Sequence, residues 1–128
     1  EVYPLLETSY QEKGNDKLSE FNVNLIRRIC DYLEIKTKIS LDSELPQISD
    51  KNLRLVEWCK TVKAANYYSG KTAEVYLNVN LFEKNGITVT WFDYGESVEY
   101  AQQWGGFEPN LSIVDIMFNL GKKTRSLL

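Results

Sequence analysis

Apolar residues recur at Leu18, Phe21, Leu25, Ile26, Ile29, Cys30 and Leu33, three or four positions apart with polar residues between. That spacing gathers one face of a helix over 18–33, with Asn15-Asp16 as start signals. The same period returns at Leu53, Val56, Cys59 and Val62, predicting a helix over 51–63 with Asp50 as N-cap. Elsewhere the pattern shortens. Thr37–Ser40, Asn66–Ser69 and Ile87–Phe92 read as strands, the last β-branched and aromatic throughout. Gly70 ends the second of these; residues 72–77 read as helical, 80–83 as a helical turn, and Asn85-Gly86 as a turn. A loop rich in Gly and aromatic residues covers 93–110. The last helix opens at Ser112, where Ser-x-x-Asp115 has the form of a capping box.

Strands alternating with helices predict an α/β fold, a small and mainly parallel sheet flanked by helices with right-handed crossovers. Three parallel strands are few for a complete α/β domain, so the chain reads as part of a larger α/β unit. Its 128 residues suit a single domain over 1–128. The run Lys122-Lys123-Thr-Arg125 lies in an expected flexible tail, 122–128, and places cations near the end of the last helix. The opening Glu1-Val-Tyr-Pro has no initiator methionine, which suggests that the start has been removed.

Composition narrows the chemistry. The chain has no histidine, which excludes Ser-His-Asp and Cys-His nucleophile activation and His-ligated zinc within it. A net charge of −3 argues against nucleic-acid binding, which needs clustered Lys and Arg. Cys30 and Cys59 lack CxxC spacing and read as small buried hydrophobes. With no long apolar run, a membrane span is not expected and a cytoplasmic protein is. No cofactor and no metal site is read.

Three places remain as candidates. At Ser69-Gly70-Lys71-Thr72 a strand end meets a helix start, where backbone N–H groups and Lys71 suit an anion such as phosphate. A P-loop is rejected, because its first glycine would fall at Ala65. The other reading is a strand-to-helix turn that needs Gly and a hydroxyl cap. In the 93–110 loop, Gln103, Trp104 and Phe107 suit a sugar pocket, rings covering C–H surface and amides pairing with hydroxyls. The alternative is that the aromatics plug back onto the core. On the last helix Asp115 and Asn119 share a face. Asp115 is a candidate general base or amine-orienting group, or simply caps the helix.

Taken in order, Tyr68-Ser-Gly70, Ala73, Tyr76-Leu77, Phe82, Gly86-Ile87, Phe92, Tyr100 and Gln103, followed by Trp104-Gly-Gly-Phe107-Glu-Pro-Asn-Leu-Ser112-Ile-Val-Asp115-Ile-Met-Phe-Asn119-Leu-Gly121, resemble the C-terminal portion of the WbqC-like protein family. The family turn commonly carries a small residue and a further Gly where Lys71-Thr72 stands. Its N-terminal Gln-Pro-Tyr-type motif has no counterpart, so the chain alone is expected to be inactive if the catalytic groups lie there. The resemblance implies a role in O-antigen or related surface-polysaccharide synthesis, with glycyl or acyl transfer to a nucleotide-linked amino sugar. The other function carried forward is a non-catalytic ligand-binding or assembly domain of a glycan pathway.

Overall fold

The computed structural model describes residues 1–12, 17–93, 95 and 97–128. Its helices are α1 (Val2–Gln11), α2 (Leu18–Tyr32), α3 (Lys51–Thr61), α4 (Val79–Lys84) and α5 (Ile113–Leu120), and its strands are β1 (Asn66–Gly70) and β2 (Thr88–Phe92). The chain divides into two compact units, Ser40–Gly95 and Glu1–Ile39 with Glu96–Leu128.

In the Ser40–Gly95 unit the strands pair in parallel, from Asn66 opposite Thr88 to Gly70 opposite Phe92. A parallel pair needs a crossover. Here it consists of 3-10 turns at Lys71–Val75 and then α4. Caps fix the helices around it. Asp50 accepts the Leu53 N–H at 2.7 Å to start α3, and Asn78 accepts the Leu81 N–H at 3.2 Å to start α4. The Asn52 side chain ties the two together, donating to the Tyr76 carbonyl at 3.3 Å and accepting the Asn78 N–H at 2.8 Å. Val56, Cys59, Leu77, Phe82 and Ile87 form the buried core, with Tyr67 and Phe82 ring centroids 5.1 Å apart. Burial pushes the Cys59 thiol up. Asn85 closes α4 by donating to the Leu81 carbonyl at 2.7 Å, and Gly86 then turns the chain with φ +73°.

In the other unit Val2, Leu33 and Met117 are buried among Leu6, Ile29, Tyr32, Ile35 and Ile113. The pattern of apolar residues does not announce α1. Pro4 lies in its first turn, where a missing N–H costs no helical hydrogen bond. Tyr10 and Phe21 rings 5.0 Å apart, and an Arg28–Glu12 ion pair at 2.7 Å, join α1 to α2. The start signals read at Asn15-Asp16 lie outside the described residues; the observed N-cap of α2 is Lys17. Gly121, with φ +58°, ends α5. Gly121–Leu127, which overlaps the expected tail at 122–128, winds as 3-10 turns with Thr124 fully buried.

The α/β class holds, with a small parallel sheet flanked by helices. One strand expectation fails. Thr37–Ser40 is irregular chain, so the sheet has two strands among the described residues. β-Propensity reports fit to a paired, half-buried surface, and no strand pairs with this segment. Of residues 72–77, read as helical, 72–75 lie in the 3-10 turns at Lys71–Val75, Tyr76 caps them and Leu77 lies beyond.

Candidate functional site

Ser112 starts α5 as expected, its hydroxyl accepting the Val114 N–H at 3.3 Å. Asp115 does not complete a capping box. Its Oδ2 instead accepts the Tyr100 O–H at 2.6 Å, Asn119 Nδ2 at 3.2 Å and Gln102 Nε2 at 3.4 Å. Asn119 reaches it because residues four apart stack on one helix face, and the same Nδ2 donates to the Asp115 carbonyl at 2.9 Å. The hydrogen bond to Asp115, with burial second, pushes the Tyr100 phenol above its ordinary value, keeping it a donor at neutral pH. Among the described residues Oδ1 of Asp115 accepts no hydrogen bond, and it is not one of the buried unpartnered atoms. Among the described residues, side-chain donors hold Oδ2 alone.

Gln102 builds the loop that faces this carboxylate. Its Oε1 accepts the Glu108 N–H at 2.8 Å, while Nε2 donates to the Glu108 carbonyl at 3.0 Å and to the Tyr100 hydroxyl at 3.1 Å. Reversing the amide would set oxygen against carbonyl oxygen, so the network fixes its orientation. The clamp holds the turn through Gly105, whose φ of +70° suits glycine. The Phe107 ring stands edge-on to Tyr100, centroids 5.4 Å apart at 82°. Of the loop aromatics, Phe107 thus packs inward, whereas Trp104 is 81% exposed.

Between loop and helix lies an open cleft of about 350 Å³. Trp104, Leu111 and Phe118 supply its apolar wall, and Gln103, Asn119 and Asp115 its polar groups. Phe107 supports this cleft through Tyr100. The arrangement can stack an apolar face on Trp104 while the open carboxylate oxygen accepts from a hydroxyl or amine. Among the described residues no cluster of His, Cys, Asp and Glu is arranged to hold a metal ion, and no helix is long and apolar enough to cross a membrane.

Ser69, Gly70 and Lys71 belong to the other unit. Lys71 Nζ lies 2.7 Å from Asp93 Oδ2, and that hydrogen bond raises the Lys71 pKa and lowers that of Asp93. Asp93 also accepts the Gly95 N–H at 3.2 Å. An anion at this turn would compete with Asp93 for the ammonium. The segment that follows is five residues of 3-10 helix, too short for much of a dipole.

Sequence reasoning passed over Tyr100 and Gln102 as site residues. Tyr100 did stand among the positions that carry the family resemblance. Gln102 gave no signal, since nothing in the sequence separates it from the adjacent Gln103.

Fold and cleft define a small α/β protein with an amide- and aromatic-lined site built around one carboxylate. The chain matches the WbqC-like protein family over residues 1–127 and belongs to that family, as the Trp104–Gly121 motif led us to expect. It is 37% identical over 128 residues to a Mycobacterium tuberculosis (strain ATCC 25618 / H37Rv) protein, "Uncharacterized protein Rv1507c", covering 100% of this chain and 55% of that protein. The chain thus spans about half the length of this relative. No solved structure matches it.

Proposed function

We propose that the chain serves surface-polysaccharide synthesis of the O-antigen type, binding a sugar intermediate in the Asp115 cleft. Within that role the fitting reaction is glycyl or acyl transfer to a nucleotide-linked amino sugar. The observation that carries the reading is the fixed carboxylate: three donors converge on Oδ2 of Asp115, Oδ1 accepts none among the described residues, and the exposed Trp104 lines the same cleft. In an acyl transfer the neutral amine attacks the acyl carbonyl, and the C–N bond forms as the bond to the acyl donor's leaving group breaks. That group departs with the electron pair, and Asp115 is the group we assign to take the proton that the amine loses. Trp104 covers the C–H face of the ring, and the Gln103 amide pairs with its hydroxyls. Cytoplasmic nucleotide-sugar chemistry suits this role.

A non-catalytic ligand-binding domain is the second reading. It is favoured by the cleft lining, which among the described residues contains no Ser, Cys or Lys nucleophile. An anion at Ser69–Lys71 would have to draw Lys71 from Asp93. Titration with nucleotide-linked amino sugars, followed by NMR, is expected to move the Trp104 indole and Gln103 amide signals. Silence at millimolar ligand would overturn the sugar-binding reading, and turnover abolished by Asp115→Asn would decide for the enzyme.

A further inference from the structure

The charges around the cleft separate the ligand groups it accepts from those it repels, and this step rests on the sugar-binding reading above. Asp115 and Glu108 are the charged residues that line it, both acidic, and among the described residues no Lys or Arg joins them. Three amides, of Gln102, Gln103 and Asn119, complete the polar lining. Two of these are already committed, Gln102 to the Glu108 backbone and Asn119 to Asp115. The donors on Oδ2 are a phenol and two neutral amides, so none of them cancels the charge of the carboxylate. A phosphoryl group entering here would meet like charge with no cation to pair it. An ammonium group would instead find the Asp115 carboxylate and the Trp104 ring lining one cleft, both of which attract cations.

We infer that the cleft is selective for a protonated primary amine on a sugar-sized ligand, and that any phosphate of that ligand stays outside it. Acylation of the amine removes both the charge and two donors, so an N-acylated sugar is a poor occupant. This is the pattern of a site that takes an ammonium group, which must first give up one proton to become nucleophilic, and releases the neutral amide once it is acylated.

The test crosses amine with sugar. At a pH where the amines are protonated, calorimetry on the full chain compares glucosamine, glucose, N-acetylglucosamine, glucose 1-phosphate and ethanolamine. Glucosamine is expected to bind about tenfold more tightly than glucose or N-acetylglucosamine, the scale of adding charge to one hydrogen bond. Glucose 1-phosphate is expected to bind no better than glucose. Asp115→Asn should bring glucosamine down to the affinity of glucose. The comparison of ligands on the unaltered protein stands even if that variant folds poorly. Equal binding of glucosamine and glucose, or tighter binding of glucose 1-phosphate, overturns the amine inference and leaves the sugar reading intact. Ethanolamine matching glucosamine supports the amine inference and removes the sugar reading. Silence from all five overturns both.

Discussion

In the Ser40–Gly95 unit, α3, α4 and the two strands close on an apolar core in which Val56 and Phe82 are fully buried. The stretch from Tyr100 to Asn119 is held differently, by side-chain hydrogen bonds that converge on one carboxylate oxygen. Burial is non-directional and depends on volume, so the first region should tolerate a like-sized apolar replacement. Hydrogen bonds depend on particular atoms, so the second should not tolerate even an isosteric change that reverses a donor. The difference is one of how each region is held: the first by volume, the second by the direction of particular atoms.

The largest effect is expected in the apolar region. Phe82→Ala should lower stability by about 3–5 kcal/mol in urea unfolding, and Phe82→Leu by much less. A similar loss from both would break the contrast. Asp115→Ala strips the acceptor from Tyr100, Gln102 and Asn119, at a cost of about 1–3 kcal/mol. Asp115→Asn should recover much of this, because its amide oxygen can take the Oδ2 position while its NH2 faces the side on which Oδ1 has no donor. Gln102→Ala should cost about 1 kcal/mol, and its clearer signature is faster hydrogen exchange at the Glu108 amide.

The phenol of Tyr100 gives a pH test. Its pKa is raised, so the contribution of this bond is fully present below the ordinary value of 10.0 and is lost as pH rises through the higher folded value. Spectrophotometric titration should show one late-ionising tyrosine fewer in Tyr100→Phe. The smallest effect is expected at Lys71→Ala, where an exposed ion pair with Asp93 is lost; the urea midpoint should not move measurably. A clear shift there would give the Ser69 turn a structural weight that its geometry does not suggest.

What the sequence made legible follows the same division. The α2 and α3 helices are plain from their apolar period, and Asp50 caps α3 where its position predicts. β2 is plain from its β-branched run, whereas Thr37–Ser40, with Thr37 and Ile39 β-branched, has no partner strand among the described residues and stays irregular. Pro4 and a mixed pattern hid α1, which buries only Val2 and Ser9. In the cleft, the Asp115–Asn119 spacing was readable because a helix brings it about locally. The partners Gln102 and Tyr100 lie 13 and 15 residues before Asp115, and only the folded loop brings them there. The aromatic loop was readable as unusual, but not which ring would face inward.

The turn at Asn85-Gly86 also governs how the chain ages. Asn-Gly is the dipeptide most prone to deamidation, in which the glycine nitrogen attacks the asparagine side-chain carbonyl and ammonia leaves. In the folded chain both reactants are engaged: the Gly86 N–H donates to the Glu83 carbonyl at 2.9 Å, and the Asn85 amide to that of Leu81 at 2.7 Å. The fold therefore protects its weakest covalent point by occupying it. Opening of α4 would release that restraint, and each such opening would be an occasion for a permanent negative charge to appear at position 85.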